Sequence, residues 1–97
     1  MIVLTATYTV RSGEMTNVLQ ALAEMTRLVK EKEPGCVMYR AHRSVDQPDR
    51  VLLYEVYTDQ ASFDAHSSSP YFQDIVLGRI VPKLLSRERS VWATMGD

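Results

Sequence analysis

The feature that most constrains this chain is a change of hydrophobic period at its first turn. From Ile2 to Val10 the side chains alternate, with Ile2, Leu4, Ala6, Tyr8 and Val10 on one side and Val3, Thr5, Thr7 and Thr9 on the other. Alternation in β-branched and aromatic residues predicts a strand. After Arg11-Ser12-Gly13 the spacing shifts to three and four. Met15, Val18, Leu19, Leu22, Met25, Thr26 and Val29 form one stripe of an amphipathic helix, with Ser12 the expected N-cap and Pro34-Gly35 the stop. A strand followed at once by a long amphipathic helix requires further strands for that helix to lie on.

Those strands follow. Cys36–Val45 returns to an extended pattern, Asp46-Gln47-Pro48-Asp49 is turn chemistry, and Arg50–Thr58 reads as a second strand of a β-hairpin. Asp59 caps a short helix through about Ser67, and Ser67-Ser68-Ser69-Pro70 breaks it. A further helical stretch from Tyr71 to about Leu85 carries Phe72, Ile75, Val76, Ile80 and Leu84, with Pro82 marking a kink or end. Ser86–Thr94 is the last strand. The order is βαββαβ, an α+β ferredoxin-like plan with both helices on one face of a four-stranded antiparallel sheet, in a single domain over residues 1–97. The strand Val51–Tyr57 is apolar on both faces, which a sheet wet on one side does not favour. A homodimer that covers the second face is the expected solution.

Composition narrows the function. Eleven basic against twelve acidic residues give a net charge of -1, without a basic block, so nucleic acid is not an expected partner. The longest apolar runs, Met1–Leu4 and Val51–Tyr54, fall far short of the roughly 20 residues a spanning helix needs, so no membrane partner is expected. The start of the chain lacks a basic lead and a long apolar region, and the single cysteine, Cys36, gives no disulfide framework. A cytoplasmic location is the expectation. Two histidines and one cysteine, widely separated, offer no metal site. No phosphate-cradling or dinucleotide glycine motif is present, so no cofactor is expected.

Three groups of residues are candidates for chemistry. Glu55 lies within the most apolar strand and must be paired or hydrogen-bonded. It is either a pocket acid or base, or a structural carboxylate paired with Arg40, Arg87 or Arg89. His66, at the end of the short helix, is a natural general base if it faces a pocket and a capping residue if it does not. Tyr54, Tyr57, Tyr71, Phe72 and Trp92 suit the wall of a cavity for a flat aromatic ligand, or an ordinary core.

The motifs Glu33-Pro34-Gly35-Cys36, Tyr39, Asp46-Gln47-Pro48, Tyr54-Glu55-Val56-Tyr57, Asp59, Ala61-Ser62-Phe63-Asp64-Ala65-His66, Ser69-Pro70 and Phe72, in this order, resemble the antibiotic biosynthesis monooxygenase (ABM) family. The resemblance runs over essentially the whole chain and implies a dimeric α+β barrel. It also implies oxidation of phenolic or quinol-like small molecules by molecular oxygen without flavin, metal or haem. On that footing His66, Tyr57 and Glu55 are the candidate catalytic residues, and Tyr71, Phe72, Trp92 and Ala6 the candidate substrate-binding ones. Members of this kind often carry a Trp where Tyr57 stands and an Asn on the first strand, where this chain offers Ala6 between Thr5 and Thr7. The positions of the haem-degrading branch hold Ala6, His66 and Val76 here, without its axial His. A branch acting on a phosphorylated signalling sugar uses a His on the first helix, where this chain has Thr26 and Arg27. A cofactor-free isomerase of a small carbonyl or phosphorylated signalling compound and a non-catalytic small-molecule-binding dimer are the alternative functions.

Overall fold

A computed structural model describes residues 1–96, so Asp97, the last residue of the expected domain, lies outside the described residues. The elements run β1 (Ile2–Val10), α1 (Met15–Lys32), β2 (Cys36–Arg43), β3 (Arg50–Tyr57), α2 (Gln60–Ser68), a wide helix α3 (Phe72–Ile80), a 3₁₀ turn (Val81–Lys83) and β4 (Leu84–Ala93). The sheet is antiparallel with order β2-β3-β1-β4, which is the expected ferredoxin-like βαββαβ plan.

The alternation read in β1 separates two environments. Leu4, Ala6, Tyr8 and Val10 are buried beneath the helices, beside Val51, Leu53, Glu55 and Tyr57 of β3. α1 closes this side with Val18, Ala21, Leu22, Met25 and Val29, and α3 adds Ile75, Val76 and Ile80. The opposite face carries Thr5 and Thr7 of β1, Leu52, Tyr54 and Val56 of β3, and Trp92 of β4. Leu52 is 40% exposed there, whereas its neighbour Leu53 is 1% exposed in the core.

Local details depart from the sequence reading in three places. α1 begins one turn after Ser12, with Glu14 at the N-cap and no side-chain capping bond. Ser12 is instead part of a tight turn in which Gly13 takes φ 83°, a left-handed conformation that suits glycine. The last helix is wound as a π-helix over Phe72–Ile80, and the Val81 N–H reaches back five residues to the Val76 carbonyl. Pro82 has no N–H to continue any helical ladder, and the chain tightens into the 3₁₀ turn there. β4 accordingly starts at Leu84, two residues ahead of the expected Ser86. No helix among the described residues is long and apolar enough to cross a membrane.

Candidate functional site

Asp59 sets up the site from below. Its carboxylate accepts a hydrogen bond from the Ser62 N–H at 2.8 Å, starting α2 immediately after β3. Two turns later His66 points inward, and it is buried with 2% exposure. The turn Glu33-Pro34-Gly35 meets α2 from the other side. A Cβ on Gly35 would lie 2.1 Å from Ser62 Oγ, so only glycine allows the two segments to come this close.

That close approach brings Glu33 to His66. The imidazole Nδ1 lies 3.0 Å from both Glu33 carboxylate oxygens, and the Tyr71 hydroxyl donates to Glu33 Oε2. On the other side of the ring, Nε2 lies 3.7 Å from Glu55 Oε1. The Tyr57 hydroxyl donates to the same Glu55 oxygen at 2.6 Å. Four side chains drawn from three segments therefore enclose one histidine. The rings of Tyr39, Tyr57 and Phe72 pack around it at centroid distances of 5.6, 5.4 and 5.3 Å.

The hydrogen bonds constrain where protons sit. Nδ1 faces only carboxylate oxygens, so it carries a proton and donates. Nε2 and Glu55 Oε1 would then set a lone pair against a carboxylate unless one more proton lies between them. Burial raises the Glu55 carboxyl above its ordinary range, against the opposing pull of the Tyr57 hydroxyl, His66 and Arg89. Nε2 and Glu55 thus share one proton between them, and the cluster is an acid–base pair sealed in the core. Burial, followed by the influence of Glu55, pushes the Tyr57 hydroxyl far above its usual range. The Tyr71 hydroxyl rises to about 12 through burial and its bond to Glu33. Both phenols are therefore donors, not bases, at neutral pH.

Beside this cluster a cleft of ≈ 550 Å³ opens between α1 and β2. Leu19, Leu22 and Val29 form its helical wall, and Cys36 through Ala41 form the strand side. Tyr39 belongs to both regions, since it lines the cleft and packs against the His66 ring. Cys36 also faces both. Burial, with Glu33 and Glu55 nearby, raises its thiol to about 12, so it is a neutral lining group.

The candidate residues thus separate. His66, Tyr57, Glu55, Tyr71 and Phe72 come together, but none of the five lines the cleft. Ala6 sits in the core, opposite Leu53. Trp92 does not join them: it is 57% exposed on the open face of the sheet, where its indole N–H donates to Thr5 Oγ1. Its β4 position opposite Val3 dictates this, because facing residues on paired strands share a side. The arginine partners expected for Glu55 are also replaced. Arg40 pairs in register with Tyr54 on the far side of the strand, and Arg87 and Arg89 are one strand removed, opposite Tyr8 and Ala6. Glu55 is held by Tyr57 and His66 instead. Glu33 and Tyr39 are the residues that sequence reasoning left without a role. The Glu-Pro-Gly turn was visible, but nothing local connects it to a histidine 33 positions later. Among the described residues no three His, Cys, Asp or Glu side chains are grouped to hold a metal ion.

A ferredoxin-like sheet with a sealed histidine–carboxylate cluster beside a cleft defines a small α+β protein of βαββαβ order. The family model for the antibiotic biosynthesis monooxygenases matches residues 1–76, and the chain belongs to that family. A solved protein from Shewanella oneidensis is similar at 27% identity and TM-score 0.85, covering 94% of this chain and 87% of that one. A Caulobacter crescentus protein, which bears the same family name as a provisional designation, superposes at TM-score 0.91 with 20% identity, covering 98% and 90%. A Mycobacterium tuberculosis protein does so at 0.88 with 21% identity, covering 99% and 96%. At these identities the last two speak for the fold. A curated relative, an uncharacterized protein of Synechocystis, is 34% identical over 44 residues, and the match spans 45% of this chain and 30% of that protein. Family membership supports a function of the ABM, monooxygenase type in its coarse sense.

Proposed function

We propose that this protein is a cofactor-independent monooxygenase that oxidises an aromatic or quinol-like small molecule with molecular oxygen, and that it works as a homodimer. The observation that carries this reading is Tyr39, which lines the cleft on one side and packs against the buried His66–Glu55–Tyr57 cluster on the other. In the cleft, a quinol deprotonates to an electron-rich anion that reduces oxygen directly. One oxygen atom forms a new C–O bond, the other leaves as water, and the product is a hydroxyquinone. The apolar wall excludes water, and the Tyr39 hydroxyl stabilises developing negative charge. The buried cluster, in which Tyr57 and His66 are 0% and 2% exposed, packs behind the Tyr39 ring and fixes its orientation.

Oxygen uptake on a panel of dihydroxynaphthalenes and polyphenols tests this reading. Wild-type protein should exceed the spontaneous rate, and Tyr39→Phe should lower turnover by roughly 10²-fold, the low end for removing one donor to developing charge. Failure of every substrate to exceed the spontaneous rate overturns it. A specific observation favours a second reading, a small-molecule-binding dimer without turnover: both ring nitrogens of His66 face carboxylates and the ring is 2% exposed. Saturable binding without oxygen consumption would establish that alternative. The dimer rests on the open face of the sheet, where Leu52 is 40% and Trp92 57% exposed. Leu52→Asp should yield a monomer in light scattering at micromolar concentration, and a wild-type monomer would refute the dimer.

A further inference from the structure

We propose that Glu33 is the port through which the buried His66–Glu55 pair exchanges its proton with the outside, at a second, smaller cleft between the Glu-Pro-Gly turn and α2. The port serves the pair whether or not the larger cleft turns over a substrate.

Burial separates the members of the cluster. The His66 and Glu55 side chains are 2% and 3% exposed and Tyr57 is 0% exposed, whereas the Glu33 side chain is 10% exposed. Glu33 also borders a cleft of ≈ 170 Å³, in which Lys32 through Cys36 face Ser62 and Ala65 of α2. His66, Glu55, Tyr57 and Tyr71 do not line it. Glu33 thus holds the imidazole, 3.0 Å from Nδ1, and borders a space with room for water. A carboxylate has about four acceptor sites, so the bonds from His66 and Tyr71 leave capacity for a water as well.

The other titratable groups around the pair keep their protons. Cys36 and Tyr39 come from β2, Tyr57 from β3, and Tyr71 stands ahead of α3. Burial, more than any other cause, raises each of them, Cys36 and Tyr71 to about 12. Arg89 of β4 acts on Glu55 through its charge, and a guanidinium does not give up its proton. A carboxylate is the group that can take a proton and release it at neutral pH.

The transfer uses both ring nitrogens. The proton shared by Nε2 and Glu55 settles on Nε2, and the Nδ1 proton passes to Glu33. The imidazole stays neutral, Glu55 becomes the carboxylate, and Glu33 becomes the acid. Glu33 then gives its proton to water in the cleft, and the reverse steps restore the cluster.

NMR of the whole protein, labelled with ¹⁵N at histidine rings and backbone amides, tests the port. Exposed His42 supplies a fast-exchanging reference in the same spectrum. The His66 Nδ1 proton should exchange with water faster than the α2 amides, because its path needs no opening of the helix. Glu33→Gln keeps an acceptor for Nδ1 but cannot carry a proton. It should slow ring exchange by about 10²-fold, the low end of positioned proton transfer, with the α2 amides unchanged. In Glu33→Ala, added formate should restore ring exchange by standing in for the missing carboxylate, and it should do nothing for Glu33→Gln. Ring exchange indifferent to Glu33→Gln overturns the proposal and places the exit elsewhere. Wild-type ring and α2 amide rates that coincide also overturn it, since the proton then leaves by opening of the helix, and that comparison stands even where a variant fails to fold.

Discussion

Tyr57 and Tyr39 lie on neighbouring strands, and both rings pack against His66, yet their hydroxyls meet opposite fates. The Tyr57 hydroxyl is spent inside the protein, donating to Glu55 at 2.6 Å. The Tyr39 hydroxyl has no hydrogen-bond partner among the described residues, and Tyr39 lines the cleft. The first region is closed, with its polar groups satisfied by one another, and the second is left incomplete. Polar groups in a folded chain are normally paired, so an unpaired one beside a cleft is a stronger pointer to a ligand than a buried histidine already held by two carboxylates.

The contrast can be broken most severely from the closed side. His66→Ala leaves Glu33 and Glu55 facing a cavity without their shared partner, and should cost about 3–5 kcal/mol, the range for stripping one member from a buried charged cluster. Chemical denaturation with a two-state fit measures it, and a loss under 1 kcal/mol, on the order of an exposed pair, would mean the cluster is not coupled. Tyr57→Phe should cost about 1.5–3 kcal/mol, because a hydrogen bond to an acidic group is lost and Glu55 is left with one fewer donor. Tyr39→Phe removes the same atom from the open side and should stay within roughly 0.5 kcal/mol, since no bond inside the chain is lost. Equal costs at the two positions would erase the distinction between the regions.

A pH series sharpens it further. Burial raises the Glu55 carboxyl above its reference of 4.5, so the folded state favours the protonated form more than the unfolded state does. The associated stability is fully present below pH 4.5 and declines as the pH rises through the elevated folded value. Glu55→Gln mimics the neutral carboxyl and keeps an acceptor for Tyr57. Its melting temperature relative to wild type should therefore increase from acid toward neutral pH, and a pH-independent difference would locate the proton elsewhere.

Most of the architecture was legible because it is written in local periodicity. The alternation of Ile2–Val10, the stripe from Met15 to Val29 and the Asp59 cap each depend on residues within a turn or two, and each leads to the element observed. The π winding of Phe72–Ile80 has no such local mark, because α and π ladders use similar residues and differ by one position in their bonding. The site was legible as a set of residue types but not as a set of partners. Glu55 demanded a companion, and the arginines were reasonable choices by charge. Which residue reaches it is decided by the sheet, which sets Arg40 on the far face and leaves Arg87 and Arg89 on β4 with β1 between them and Glu55. Trp92 was misplaced for the same reason, since an aromatic on an edge strand declares its face only once its opposite number, Val3, is known.

The contact of Gly35 with Ser62 has a kinetic consequence. The bonds from Glu33 to His66 and Tyr71 close loops of more than 30 residues, and the entropy of closing them leads us to expect that they form after the local hairpin. Interactions completed late in folding govern how fast a protein comes apart rather than how fast it assembles. Gly35→Ala forces the two segments apart and should steepen escape from the native state while refolding keeps its pace. Stopped-flow chevrons would show a raised unfolding limb above an unmoved folding limb, and slowed refolding would place this contact in the nucleus instead.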